Sequence, residues 1–200
     1  MMARNPEKTR KRLLQAAFEE MHARGFQGMR VDEVLRKSKL QKGAFYHHFS
    51  SKLELGYAVL EEEISPLLDK IWLEPLKNIQ NPVEEFPRLL KNLADRVPKS
   101  FKEHGCPLNN IAQEMAYQDK GFQERVSKQF NHWIDAYTQL FEQAQVKNQL
   151  RSDVEAAEVA RFFVATLEGC ISLSKAEQSA VQWQACRSQL GIYLRGLIPE

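Results

Sequence analysis

Residues 42–52 read Lys-Gly-Ala-Phe-Tyr-His-His-Phe-Ser-Ser-Lys, a stretch that crowds cations, hydroxyls and imidazoles around two phenylalanines. On a helix, Phe45 and Phe49 stand at i and i+4 and share one face. Lys42, Tyr46, His47 and His48 are then left to face outward. Gly43 and Ala44 at the helix start let the backbone come close to a large partner. Ammonium, phenol and imidazole donors on an exposed helix suit anionic oxygens, and Lys42 with the helix N-terminus adds positive potential.

The charge distribution points the same way. Residues 1–52 hold twelve Lys or Arg and five Asp or Glu, a net +7. The other 148 residues hold sixteen and twenty-one, a net −5. A basic head on a mildly acidic body suggests an anion-binding region and a second region with another task. A solvated basic face would have the same composition.

A second chemical feature is Gly105-Cys106-Pro107-Leu108, which places a thiol at the N-cap of a helix opened by proline. Free N–H groups and the helix dipole favour a thiolate there, so the Cys106 pKa is expected to fall, and His104 could add charge. A structural cap cysteine has the same local sequence. Cys170 and Cys186 sit in apolar stretches and are expected to be inert core thiols. Three cysteines at these spacings suit a reducing cytosol. Cys106, His104 and His132 make a poor nucleophile–base pair, because His104 is two residues away and no third orienting group is indicated. The sequence has no Cys-x-x-Cys, no His-Glu-x-x-His and no Gly-rich phosphate loop. We therefore expect no enzyme, no metal and no cofactor.

The elements that must position these groups are helical. The chain has 200 residues, 43% hydrophobic and 27% charged, which is ordinary globular composition. No apolar run approaches the ~18 to 20 residues of a membrane span. The N-terminus from Met1 to Lys8 lacks the apolar core of a signal peptide. Leu14, Phe18 and Met21 follow helical spacing after the start signal Asn5-Pro6-Glu7, and Gly25 stops that helix. Short helices fit Val31 to Ser38 and Lys42 to Phe49. Leu53, Tyr57, Leu60, Ile64, Leu67 and Ile71 predict a long helix bent at Pro66. Further helices fit Pro82 to His104 with a kink at Pro98, Pro107 to Tyr117, Gly121 to Val146, Asp153 to Ala176, and Ser179 to Ile198. No strand alternation is present. The prediction is an all-α chain of about nine helices: a head at residues 1–50 and a helical body at 51–200.

Between Val154 and Leu173 the sequence is apolar or small nearly all round a helix. Such a helix buries more than one face. A second copy of the chain is the simplest partner for the outer face. A central helix within one subunit would read alike.

Three short helices in about 50 basic residues suggest a helix-turn-helix. The residues Gly25-Phe26, Val31-Asp32-Glu33-Val34, Lys42 to Phe49 and Lys52-Leu53-Glu54-Leu55 resemble the DNA-binding head of the TetR (tetracycline-repressor) family. The resemblance implies that Tyr46 and Lys52 hydrogen-bond phosphates, and that Gln41, Ala44 and His47 contact base edges. Two departures stand out. Arg30 replaces the usual Ser or Thr at the start of the second helix, and could substitute a charged phosphate contact. Ser38-Lys39-Leu40-Gln41 has no turn glycine, so Ser38 or Lys39 must bend without glycine's freedom. Ordinary caps are missing from both helices.

For the body, the resemblance implies a small-molecule pocket and a homodimer interface through the last two helices. Trp72, Phe101, Tyr117, Trp133 and Tyr137 are candidates for an aromatic lining at the ends of the body's first, third and fourth helices. With few charges nearby, the effector is expected to be apolar or neutral. The stretch from Gly105 to Met115 resembles a subgroup with a Gly-Cys-x-x-x-Asn-x-x-x-Glu pattern, which adds Cys106 and Asn110. Lys175 matches a lysine frequent in that subgroup. The resulting expectation is a cytoplasmic, dimeric repressor released from a palindromic DNA operator by a small effector, with no membrane partner. The alternatives are a thiol sensor of electrophiles or oxidants acting through Cys106, and a dimeric helical binding module without DNA function.

Overall fold

The computed structural model describes residues 5–200, with the side chains of 93–96 left aside; Met1 to Arg4, part of the N-terminus discussed above, lie outside the described residues. The chain is all-α, with no strand among the described residues. The described residues form eleven α-helical segments: α1 (Pro6–Gly28), α2 (Val31–Ser38), α3 (Lys42–His48), α4 (Lys52–Val59), α5 (Ser65–Trp72), α6 (Pro82–Arg96), α7 (Lys99–His104), α8 (Pro107–Met115), α9 (Lys120–Val146), α10 (Ala156–Glu177) and α11 (Ala180–Arg195). Joining α4 to α5 and α6 to α7, which are single interrupted rods in the sequence, gives the nine predicted helices.

Both interruptions have a proline as their cause. Pro66 has no N–H, so the Glu62 carbonyl lacks its usual donor. The helix answers with a π turn over Leu60–Ile64, in which the Ser65 N–H reaches the Leu60 carbonyl. The irregular turn thus lies just before Pro66. Pro98 takes φ −54° and ψ 149°, which ends α6 before it and starts α7 after it.

The residues cluster into two compact units: residues 1–67 with 107–127, and residues 68–106 with 128–200. This division differs from a single break at residue 50, because the head keeps α4, α8 and the start of α9 with it. The first unit is cored by Leu13, Ala17, Val34, Phe45, Phe49, Leu55, Val59 and Phe122, each no more than 1% exposed. The second is built around a ring cluster. Phe86 and Phe163 stack at 4.8 Å, and Tyr137 and Phe141 pack on the pair edge-on or tilted. Such rings bury large apolar areas and gain further from their edge-to-face geometry.

Cys170 and Cys186 are not the separate thiols expected from sequence. They form a disulfide joining α10 to α11, with Cα atoms 5.9 Å apart. Their 16-residue separation spans the turn between the two helices, and this packing brings the two sulfurs together. Cys106 is free and buried.

Candidate nucleic-acid interface and ligand cavity

The short helix α3 is divided sharply between its faces. Phe45 and Phe49 are each 1% exposed, whereas Tyr46 is 59% exposed. Gln41, Lys42, Gly43 and His47 are exposed, and Ala44 and His48 are half-buried. Phe45 packs edge-on against Tyr46 at 5.1 Å, so the anchor beneath also steadies the ring above. His48 lies 5.0 Å from His47. Its pKa is lowered by burial first, then by His47 and Arg10, which favours a neutral imidazole.

The helices on either side of the turn lack side-chain caps, as expected. Neither Arg30, the N-cap of α2, nor Gln41, the N-cap of α3, makes a capping hydrogen bond. Arg30 is exposed. The turn bends at Lys39, which adopts φ 53° and ψ 43° in the left-handed region. Arg12 reaches across from α1 to the Ser38 carbonyl and fastens the end of α2. Arg10 pairs with Glu62 and lies 5.0 Å over the Phe49 ring.

Lys52 already has a partner. Its Nζ donates to the Gln27 carbonyl at 2.9 Å and sits 4.9 Å over the Phe26 ring. Partial burial lowers its pKa, with Glu114 raising it in part. An ammonium has three donors, so this bond orients the group without exhausting it.

The residues that tie 107–127 to the head had no role assigned from sequence, although Glu114 is the closing Glu of the Gly-Cys-x-x-x-Asn-x-x-x-Glu pattern. Gly25 takes φ 76° and ψ 169° and breaks the regular helix within α1, as anticipated from its glycine. The Phe26 and Gln27 N–H groups are thereby freed, and both donate to Glu114, at 2.8 and 2.7 Å. The Tyr57 hydroxyl donates to Asp119 at 2.6 Å, and Arg125 binds Glu61 at 2.9 Å while lying 4.1 Å over the Tyr57 ring. Phe122 wedges between Phe26 and Tyr57, with centroids at 4.7 and 4.9 Å. A Cβ on Gly56 would meet Phe26 at 2.5 Å, so this close packing needs a glycine. Partners more than sixty residues apart leave no local spacing signal.

The second unit contains a cavity of about 450 Å³. Of the predicted lining residues, Trp72 and Phe101 border it. Trp133 and Tyr137 belong to the packed interior instead. The Trp133 indole donates to Asp69 at 3.1 Å, beside Gln129 at 2.7 Å, and the Tyr137 hydroxyl lies 3.5 Å from the Trp72 carbonyl. Burial pushes the Tyr137 phenol well above its ordinary value, with Glu168 adding to the effect. Tyr117 is fully exposed, so its assignment to the lining is withdrawn; the helix α8 ends at Met115, before it. Asn110 is half-buried in the first unit. Lys175 is exposed and lays its methylenes against Gly105, where a Cβ would stand 2.9 Å from Lys175 Cδ. Trp183, Lys91, Lys102 and Arg187 also border the cavity and were not foreseen.

Cys106 is 3% exposed and hydrogen-bonds the Glu168 carboxyl. Burial raises the Glu168 pKa to about 7, and the Cys106 hydrogen bond offsets part of that rise. The neighbour of the thiol is therefore a buried acid.

An exposed helix carrying phenol, imidazole and ammonium groups on a rigid base, second in a tight two-helix turn, defines a helix-turn-helix DNA-binding protein. Comparison with known proteins agrees. Residues 13–59 match the family model described as bacterial regulatory proteins, tetR family. Residues 82–189 match the C-terminal domain of LmrA/YxaF-like transcriptional regulators. The transcriptional regulator AcuR of Cereibacter sphaeroides is 28% identical over 173 residues, covering 82% of this chain and 75% of AcuR. The HTH-type transcriptional repressor DhaR of Mycobacterium sp. strain GP1 is 25% identical over 185 residues, 89% of this chain and 87% of DhaR. A TetR transcriptional regulator from Chloroflexus aurantiacus has the same fold, with a TM-score of 0.87, 23% identity and 98% of each chain covered. The chain belongs to the TetR family, and it is a DNA-binding transcriptional regulator, not an enzyme.

No helix among the described residues is long and apolar enough to cross a membrane.

Proposed function

We propose that the protein is a homodimeric repressor that holds a pseudo-palindromic operator and leaves it when a small effector occupies the second unit. The observation that carries this reading is the contrast at α3, where Phe45 is 1% exposed and its neighbour Tyr46 is 59% exposed. Lys42, Tyr46, Lys52 and Arg30 would take phosphates, and Gln41, Ala44 and His47 base edges, with Gly43 permitting close approach and His48 beside them. Two copies would read half-sites about one helical turn apart.

The dimer reading is supported by two stripes in the second unit. Phe162, Ala165, Gly169 and Leu173 on α10 are exposed at helical spacing. Val181, Ala185, Ser188 and Ile192 do the same on α11. Small and apolar side chains over two adjacent helices suit close packing against a second copy.

Release would run through residues 107–127. They cluster with the head, yet both their ends continue into the second unit, at Cys106–Pro107 and within α9 after Ser127. A shift at either end would pull on Glu114 and Asp119, and through them on Phe26 and Tyr57. Repressor action also follows the name given to DhaR. A DNA-bound regulator of this kind would work in the cytoplasm.

The test is a gel-shift assay with the DNA upstream of the protein's own coding sequence, at two salt concentrations. Tyr46→Ala and Lys52→Ala should each weaken binding, and affinity should fall steeply with salt. Unchanged binding in both variants would refute the assignment of the head. Sedimentation should show a dimer that Leu173→Asp converts to monomer. Cys106→Ser separates the non-covalent reading from a thiol switch: induction by a small effector that survives the substitution excludes the switch. Burial of Cys106 and its acidic neighbour favour the non-covalent reading.

A further inference from the structure

We propose that the cavity in the second unit takes an amphipathic organic anion, a carboxylate or sulfonate on a planar apolar body. This deepens the effector reading above and rests on it only for the consequence at DNA. Three observations converge on that chemistry, and they replace the neutral effector expected from sequence.

The first is charge. Lys91, Lys102 and Arg187 border the cavity, and no Asp or Glu does so among the described residues. None of the three makes an ion pair with a carboxylate among those residues. A second cavity of about 270 Å³ shares Lys91 and Arg187 as wall residues and adds Arg195. Arg195 lies beside Gly191, where a Cβ would stand 3.5 Å from its guanidinium. An anion placed among them would meet several charge-assisted donors at once. In a body whose net charge is negative, such a gathering is not what average composition would supply.

The second is hydrogen bonding. The indole nitrogens of Trp72 and Trp183 are both buried without an acceptor among the described residues. Trp72 is 6% exposed, and its indole nitrogen is itself shielded from the surface. Buried donors are almost always satisfied, and a ligand oxygen is the partner that this lining lacks. The helix α11 also begins at the cavity wall, with Ser179 and Ala180, which brings the positive end of its dipole to the same space.

The third is shape. Trp72, Phe101 and Trp183 provide ring faces, Val97 and Ile171 add aliphatic surface, and the volume suits a small organic molecule rather than an inorganic ion. The rings would hold the body, while Lys91 and Arg187, common to both cavities, would hold the acid.

The experiment uses two fluorescent probes that share one anilinonaphthalene body. One is 1-anilinonaphthalene-8-sulfonate, an anion; the other is N-phenyl-1-naphthylamine, which is neutral. Titration of the full-length protein should show one site per chain that binds the anion about tenfold more tightly than the neutral probe. Arg187→Gln and Lys91→Gln should each remove most of that preference while leaving the neutral probe's affinity and the melting temperature unchanged. Trp183→Phe should reduce energy transfer from protein to bound anion. Equal affinity for the two probes, or a preference that both Gln variants retain, would overturn the proposal. The latter result would place the anion on the exposed stripes of α10 and α11. The regulatory reading is scored separately: saturating anion that binds as expected yet leaves operator affinity unaltered would sink that reading and leave the anion preference standing.

Discussion

The Glu114 carboxylate accepts the Phe26 backbone N–H at 2.8 Å, across 88 residues of sequence. It closes a helix end that Gly25 has opened, so one acid serves as a cap supplied from a distant helix. The space is tight as well, since a Cβ on Gly25 would meet Glu114 Oε2 at 2.6 Å. Glu114→Ala should destabilise the protein by about 2 kcal/mol, because two N–H groups lose a charged acceptor. Gly25→Ala should cost at least as much, from both the left-handed φ and the collision. Thermal melts check both. Operator affinity should fall more for Glu114→Ala than its stability loss at assay temperature explains.

Arg30 and Lys39 mark places where local stability has been given up. A Ser at position 30 can cap α2, so Arg30→Ser should stabilise the fold by about 1 kcal/mol. It should at the same time weaken operator binding and flatten its salt dependence. Lys39→Gly relieves a left-handed lysine and should also stabilise, by about 0.5 to 1 kcal/mol, with little effect on DNA. Denaturant unfolding beside gel shifts separates the two behaviours. A loss of stability in Arg30→Ser would show that the N-cap position is occupied for another reason.

Glu168 gives the fold a pH dependence of definite sign. Burial raises its pKa to about 7, while Cys106 lowers it and Tyr137 lies close enough to feel its charge. The folded value stands above the unfolded one, so the native state keeps a proton that the unfolded chain has lost. The contribution of this group is therefore complete below the ordinary glutamate range and is lost as pH rises towards and through 7. Glu168→Gln should remove that slope and leave the protein more stable than wild type at pH 8 by about 3 kcal/mol. Melting curves between pH 5 and pH 8 give the comparison. A wild-type slope that persists in the variant would assign it to another group.

The bond between Cys170 and Cys186 ties α10 to α11 beneath the proposed dimer stripes. For a loop of this length, an intact disulfide stabilises by about 3 kcal/mol in the chain-entropy picture. Oxidised protein should therefore melt at a higher temperature than reduced protein, and Cys186→Ser should behave like the reduced form with or without a reductant. Equal melting of oxidised and reduced wild type would rule out a stabilising bond.

Much of the fold was legible because helical spacing is a local property. Phe45 and Phe49 at i and i+4 marked the buried face of α3, and Pro66 and Pro98 marked both interruptions. Asn5 and Ser51 cap their helices as such residues do, by accepting from Lys8 and Glu54. The aromatic lining was harder to read. Trp72, Trp133 and Tyr137 are all aromatic residues within apolar helices, yet only Trp72 meets the cavity, and Asp69 takes up the Trp133 indole. Tyr117 failed for a related reason: it follows the last turn of α8, where apolar spacing no longer constrains direction.

By itself the sequence determined the helical architecture, the basic head with its paired phenylalanines, and the uncapped turn, since each depends on neighbours within a few residues. The tertiary structure decided which acid closes the break at Gly25, which cysteines meet, and which cations surround an empty space. Those outcomes depend on contacts between groups that are far apart along the chain. Their energies exist only once the helices are packed, so no local pattern of residue types records them.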